Sequence, residues 1–268
     1  MDHSSGEGLA KKLCHLSSTL KGLEKIAIAY SGGVDSTLLL YYSVQILGAE
    51  NVLALYGESC LTGPRRQVKA ESFFRAAFQQ RLELRRIPVN PLAWQGVTEN
   101  TNRRCYYCKR GLYQRFLSEI VTLQGWHLAD GTNVDDSTQY RPGTEAIREL
   151  RVATPLLAAG LTKDEIRFLA GNAGLPNHAE PSDSCLATRI EAGIRITPHL
   201  LGRIELAESV LDTAGFSGTR FRIARDCVHL EIREQDMERF CCRHTRSLIQ
   251  QCADDLALGR VFLSVTGR

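Results

Sequence analysis

Nowhere in the 268 residues does an apolar run approach the ~20 residues that cross a bilayer. The opening stretch MDHSSGEG is polar and acidic, where a secretory leader is basic and then apolar. A cytoplasmic protein with no membrane partner is expected. The chain also lacks internal repeats and low-complexity tracts. With 43% apolar and 24% charged residues, disorder, collagen-like repeats and coiled coils are excluded. Net charge is small, 33 Lys and Arg against 30 Asp and Glu. Lysine is missing altogether from residues 181–268, where 12 arginines balance 12 acids. Cysteine, by contrast, is plentiful. Nine cysteines, an odd number, in a reducing compartment argue for metal or thiol chemistry more than for a disulfide framework. Most of them default to packing, since free cysteine often serves as a small apolar filler.

The pattern of apolar residues predicts strands at 25–30, 51–56, 82–89 and 125–129, alternating with helices at 37–47, 64–80, 103–121 and 162–173. Pro64 opens one helix at its first turn, and Thr162 with Glu165 forms a capping box for another. Such alternation implies an α/β fold with a parallel sheet covered on both faces. Three prolines and few apolar runs over residues 175–198 suggest a linker. Beyond it the order becomes helix 198–214, strands 219–224 and 228–232, helix 234–256 and strand 260–265, which suits a small α+β domain on an antiparallel sheet. The expected division is therefore 1–180 for a nucleotide-binding domain and 181–268 for a linker and smaller α+β domain serving substrate binding or oligomerisation. Residues 61–115 hold 12 Lys or Arg against Glu71, Glu83 and Glu99. This local surplus is either a phosphate-facing patch or a solvated helix face.

Four motifs carry chemistry. At 30–37, YSGGVDST places Gly32 and Gly33 where a backbone must approach a phosphate. Ser31 and Ser36 supply hydroxyl donors, and the following helix offers its N-terminal N–H groups. The Gly-Lys-Ser/Thr of a Walker loop is absent, as is the spaced-glycine dinucleotide fingerprint. At 104–109, RCYYCK provides two thiols, Cys105 and Cys108, which is half a zinc site or part of an iron–sulfur site. No second C-x-x-C follows, and the adjacent Cys241 and Cys242 fall in a helical pattern where neighbouring side chains diverge by about 100°. At 181–190, PSDSCLATRI offers a third thiol, Cys185, near Arg189, a cation that favours the thiolate. Arg220 and Arg222, two apart on a strand and so on one face, suit a nucleotide phosphate.

The first motif resembles the SGGxDS loop of the PP-loop ATP pyrophosphatases, a Rossmann-like, adenine nucleotide alpha-hydrolase-like fold that cleaves ATP between the α and β phosphates. With RCYYCK, DGTNVDD at 130–136, YRPG at 140–143 and PSDSCLATRI, the chain over about residues 22–231 is similar to the LarE family of ATP-dependent sulfur transferases. The resemblance implies that Ser31, Gly32, Gly33, Val34, Asp35, Ser36 and Gly131 bind ATP, with Asp35 arranging Mg²⁺ and pyrophosphate. It implies that one carboxylate of pyridinium-3,5-biscarboxylic acid mononucleotide is adenylated and then converted to a thiocarboxylate in nickel-pincer nucleotide biosynthesis. Arg189, Arg220 and Arg222 would contact the substrate phosphate, and Arg141 would reach a phosphate or brace its loop.

Two sulfur routes follow from the resemblance. With one cysteine, Cys185 gives up its own sulfur and becomes dehydroalanine. With three, Cys105, Cys108 and Cys185 hold a [4Fe–4S] cluster whose open iron carries a sulfide, and this chain has all three. The implied partners are ATP, a small-molecule nucleotide, a sulfide donor and further copies of the chain, without nucleic acid. The segment 223–231, with Cys227 and His229, departs from the family, Thr188 stands for a more usual serine, and the last ~40 residues match no known pattern, which leaves the sulfur acceptor open. The rival readings are a tRNA thiolase, an ammonia-using synthetase whose cysteines are structural, and a nucleotide-binding regulator with sensing thiols.

Overall fold

A computed structural model of the chain describes residues 3–79, 81–137, 142–181, 183–240 and 242–264. Tyr140 and Arg141 of the YRPG block, Ser182 and Cys241 lie outside the described residues. Among the described residues no helix is long and apolar enough to cross a membrane. The chain forms two compact units. One comprises Met1–Ser59, Pro64–Asn90 and Cys105–Ser182; the other comprises Cys60–Gly63, Pro91–Arg104 and Asp183–Arg268.

In the first unit the elements run α1 (His3–Leu23), β1 (Lys25–Tyr30), α2 (Val34–Leu47), β2 (Val52–Glu58), α3 (Pro64–Phe78), β3 (Leu84–Pro88), α4 (Arg104–Ile120), β4 (Trp126–Ala129) and α5 (Lys163–Asn172). The four strands are parallel, in the order β3-β2-β1-β4. Period-two alternation sorts their side chains. Ile26, Ile28 and Tyr30 with Val52, Ala54 and Tyr56 face Leu38, Leu40 and Phe74, whereas Ala27, Leu53 and Leu55 face Tyr113, Phe116 and Ile120 of α4. Both faces are thus covered, as the alternation of strands and helices implies. A parallel bridge between Ala129 and Ala153 extends the β4 edge.

Helix α1 is not among the predicted elements. Its leucines Leu9, Leu13, Leu16, Leu20 and Leu23 recur every three or four residues, and Leu16 and Leu20 are wholly buried in the first core. That stripe is a helix signal which the polar first eight residues obscure.

The second unit contains α6 (Pro198–Thr213), β5 (Arg220–Ile223), β6 (Val228–Glu231), α7 (Arg243–Asp255) and β7 (Val261–Leu263). The expected antiparallel sheet is corrected to a mixed one: β5 and β6 are antiparallel, but β7 pairs with β6 in parallel. The expected helix 234–256 is broken. A single turn ends at Phe240, and Cys242, with extended backbone, is the N-cap of α7. Phe240 is buried, its ring centroid 4.7 Å from that of Phe216. Residues 91–104 join this unit through Asn100, which is wholly buried with φ of 54°. Its amide donates to the carbonyl oxygens of Glu191 (2.8 Å) and Ile194 (2.9 Å).

If α1 belongs to the core, Leu20→Ala lowers unfolding free energy by about 2–5 kcal/mol in a denaturant titration. A loss below about 0.5 kcal/mol, the usual range for surface substitutions, shows that α1 merely rests on the surface.

Candidate functional site

In a parallel sheet, ligands bind beyond the carboxyl ends of the strands where the order reverses. Here the reversal lies between β1 and β4. The loop after β1 is Ser31–Gly33 and the loop after β4 begins at Asp130, so two of the motifs meet at one crevice. They meet closely. A Cβ on Gly131 would stand 2.9 Å from the Ser36 nitrogen and 3.0 Å from the Asp35 Cβ, and one on Gly32 (φ 79°) would stand 2.6 Å from the Ala70 Cβ. Only glycine satisfies both packings.

Within the loop the hydroxyls brace the turn. Ser36 Oγ donates to Gly33 O at 3.0 Å, and Ser31 Oγ accepts from Gly33 N at 3.3 Å. Gly33 is the N-cap of α2 and brings no side chain to cap it. The first N–H groups of a 14-residue helix therefore point at the crevice with its positive dipole end, the arrangement that holds an anion.

The Asp35 carboxylate is held on both oxygens, by Asn133 Nδ2 at 2.9 Å and by Lys163 Nζ at 2.5 Å. Asn177, wholly buried, donates to Gly32 O at 2.9 Å and to Thr37 Oγ1 at 2.8 Å, while its own Oδ1 is buried with no hydrogen-bond partner among the described residues. Asn133, Lys163 and Asn177 carry no role in the sequence reading. Lys163 follows the capping threonine of α5, and a cation there runs against the helix dipole, which is a legible oddity. Asn177 leaves no trace in the sequence.

Helix α4 carries Cys105, exposed, and Cys108, half-buried, three residues apart and hence on one face. The next residue, Lys109, reaches back to Asp130. Its Nζ lies 2.9 Å from Asp130 Oδ2, where Tyr113 also donates at 2.7 Å, while Thr132 N donates to Oδ1 at 3.0 Å. Burial alone would raise the Asp130 carboxyl, but Lys109 and these donors outweigh it and hold the group below the usual carboxylate range. Gly143 of the YRPG block lies against this helix, since a Cβ there would meet Lys109 Cδ at 3.2 Å.

The second unit presents Cys185 as the half-buried N-cap of a one-turn helix, Leu186–Arg189. The three arginines of the sequence reading converge on this loop. Arg189 is buried, 3% exposed, and is held by Glu208 at 3.0 and 3.2 Å; its Nη1 donates to Ser184 O at 2.7 Å. Arg220 lies 3.6 Å from Asp183, and Arg222 donates to Thr188 O at 2.9 Å while pairing with Glu231. Leu186 N also donates to Leu61 O at 2.9 Å. Glu208, absent from the sequence reading, accepts from Phe221 N as well, at 3.1 Å, so it ties the loop, α6 and β5 together.

The thiols fit an iron–sulfur or zinc site in kind, as soft donors. Among the described residues, however, no group of three or more His, Cys, Asp or Glu is gathered to hold a metal.

The basic run at 61–115 is locally matched. Lys69 pairs with Glu180, Arg86 with Glu58 and Glu71, Arg110 with Glu149 and Arg115 with Glu119. Such pairing reduces its pull on distant phosphates.

No protein-family model matches the chain. It is 30% identical over 227 residues, 84% of this chain and 81% of the relative, to pyridinium-3,5-bisthiocarboxylic acid mononucleotide synthase of Lactiplantibacillus plantarum. This chain belongs to the LarE family. It is also 31% identical over 232 residues (87% of this chain, 85% of the relative) to an uncharacterized protein of Synechocystis sp. and 29% identical over 232 residues (85% and 86%) to one of Methanocaldococcus jannaschii. LarE-family membership accords with the glycine loop at the carboxyl end of β1 in an α/β fold with a parallel sheet, which is PP-loop-like.

Two outcomes follow. Because the folded value of Asp130 is depressed, its contribution to stability is fully present above the ordinary carboxylate range and is lost as pH falls through the depressed value. The gap in unfolding free energy between the parent and Asp130→Asn should therefore be flat near neutrality and shrink below about pH 4. A gap unchanged down to about pH 2 would mean that the fold does not depress the Asp130 carboxyl. Glu208→Ala strands the buried Arg189 charge and should destabilise the second unit by about 3–5 kcal/mol, read by Trp94 fluorescence in a Trp126→Phe background. A change under about 1 kcal/mol contradicts the ion pair as the tie of the Cys185 loop.

Proposed function

We propose that the chain is an ATP-dependent sulfur transferase that forms AMP and pyrophosphate and converts a carboxylate of pyridinium-3,5-biscarboxylic acid mononucleotide to a thiocarboxylate. The observation that carries this reading is the uncapped glycine loop at the switch point of the sheet, in a chain whose relative is the synthase named above. In this reading the first unit is the ATP-binding domain and carries Cys105 and Cys108, and the second serves substrate binding or oligomerisation and carries Cys185.

The physical sequence is short. The loop N–H groups and the α2 dipole bind the phosphates, and Asp35 supplies an oxygen donor of the kind Mg²⁺ takes, with Lys163 balancing its charge until then. A substrate carboxylate oxygen attacks the α phosphorus, and the bond to the bridging oxygen of pyrophosphate breaks. The carboxylate carbon, a poor electrophile before this step, now bears AMP as a leaving group. A sulfur nucleophile attacks it, AMP departs, and a thiocarboxylate remains.

Arg189, Arg220 and Arg222 hold the Cys185 loop in place, and in this reading they contact the phosphate of the nucleotide substrate. A [4Fe–4S] cluster held by Cys105, Cys108 and Cys185 would supply an exchangeable sulfide and permit repeated turnover. Homo-oligomerisation and a cytoplasmic location complete the proposal.

The test is incubation with ATP, Mg²⁺, sulfide and the dicarboxylate nucleotide after anaerobic reconstitution with iron. AMP and pyrophosphate should appear in step with a sulfur-containing product, and Asp35→Ala should lower the rate by about 10²-fold or more. Formation of ADP and phosphate overturns the reading, as does AMP formation with ammonia rather than sulfide incorporated. Cys105→Ala and Cys108→Ala should abolish iron binding, and unchanged iron content in both removes the cluster from the account.

A further inference from the structure

The segment that departs from the family places a second thiol in chemical company. Cys227 immediately precedes β6, and His229 follows two residues on, so both side chains share one face of the sheet. Cys227 Sγ and His229 Nε2 stand 3.4 Å apart, within hydrogen-bond reach for sulfur. The thiol is half-buried and the imidazole exposed, which leaves the pair open to a reactant without leaving the sulfur bare. A tight turn, with Ala224 N donating to Cys227 O at 2.9 Å, fixes the cysteine at the tip of the β5–β6 hairpin.

The surroundings extend the same face. In register, His229 lies opposite Arg222 on β5 and Phe262 on β7, whose ring is 6.2 Å from the imidazole. Arg222 is the residue that donates to Thr188 O in the Cys185 loop. The Cys227 and His229 pair and the Cys185 loop therefore flank one arginine within a single unit.

A cysteine with an imidazole in reach is the arrangement of an activated nucleophile. We propose that Cys227 and His229 form a sulfur-accepting dyad that takes the terminal sulfur of a persulfide. His229 takes the thiol proton, and the Cys227 sulfur attacks the outer sulfur of a donor of the form R–S–SH. The donor S–S bond breaks, its thiolate leaves and takes the proton from His229, and Cys227 is left as a persulfide. The exchange is redox-neutral and consumes nothing further. Use of the captured sulfur rests on the sulfur-transferase reading: the persulfide displaces AMP to give an acyl disulfide, and an added thiol cleaves its S–S bond, leaving the thiocarboxylate and a disulfide between that thiol and Cys227. The loading step does not rest on that reading.

The test uses the reduced full-length chain with cysteine persulfide as probe, quenched in time and mapped by peptide mass spectrometry for a gain of one sulfur atom. Exposure alone would load Cys14, Cys60, Cys105 and Cys242 ahead of Cys227, since all four are more exposed. The dyad predicts that Cys227 loads first. It also predicts that His229→Gln slows loading at Cys227 by about tenfold or more while leaving Cys14 and Cys242 unchanged. Thermal unfolding of the variant at the parent temperature excludes a folding effect.

Loading at Cys227 no faster than at Cys14, or unaffected by His229→Gln, overturns the proposal. Fast loading at Cys227, with no thiocarboxylate formed from any sulfur source, sinks the sulfur-transferase reading and leaves the dyad standing.

Discussion

The first unit depends on how closely two loops approach at the ends of β1 and β4. Gly131 lies so near the Ser36 nitrogen that no side chain fits between them, and Gly32 lies equally near Ala70 on α3. These contacts tie the start of α2 to both neighbouring elements and leave its N–H groups no internal partner to point at. Asn177 bonds the loop from a third direction, and Asn133 with Lys163 holds Asp35. An anion site made mostly of backbone must be rigid before the ligand arrives, because N–H groups that reorganise on binding lose much of their electrostatic effect. The glycines and asparagines provide that rigidity without adding charge.

The second unit solves a different problem. Its Cys185 thiol stands on a short loop that is held by a buried arginine, Arg189. Arg189 grips Ser184 and is itself gripped by Glu208, which also anchors β5 through Phe221 N. A buried pair of this kind adds little net stability, but its loss leaves an uncompensated charge, and the geometry it imposes is correspondingly specific. Arg220 and Arg222 on the adjacent strand bring further positive charge to the same loop. The Cys185 loop is thus held by charge-assisted hydrogen bonds, where the glycine loop after β1 is held by close packing.

Much of this was legible in the sequence because it is local. The glycine turn, the capping box of α5, the four parallel strands and the three cysteines are all short-range patterns, and the LarE resemblance rests on them. What escaped reading depends on distant residues. Asn177 and Glu208 act through partners 145 and 19 residues away, and nothing in their own neighbourhoods announces it. Helix α1 hid behind polar opening residues although its leucine spacing was regular. The break between Phe240 and Cys242 interrupts a sequence with good helical composition, so tertiary context overrode propensity there. The parallel pairing of β7 could not be read, because strand direction is a property of the return path and not of the strand.

If Cys105, Cys108 and Cys185 hold a cluster as proposed, sulfur reaches the substrate without consuming the protein. Intact-protein mass spectrometry after many catalytic cycles distinguishes the cluster from a sacrificial cysteine. With the cluster, the mass at Cys185 stays unchanged while several equivalents of thiocarboxylate product form per chain. Loss of one H₂S equivalent, with dehydroalanine at position 185 and no more than one equivalent of sulfur transferred, would contradict it.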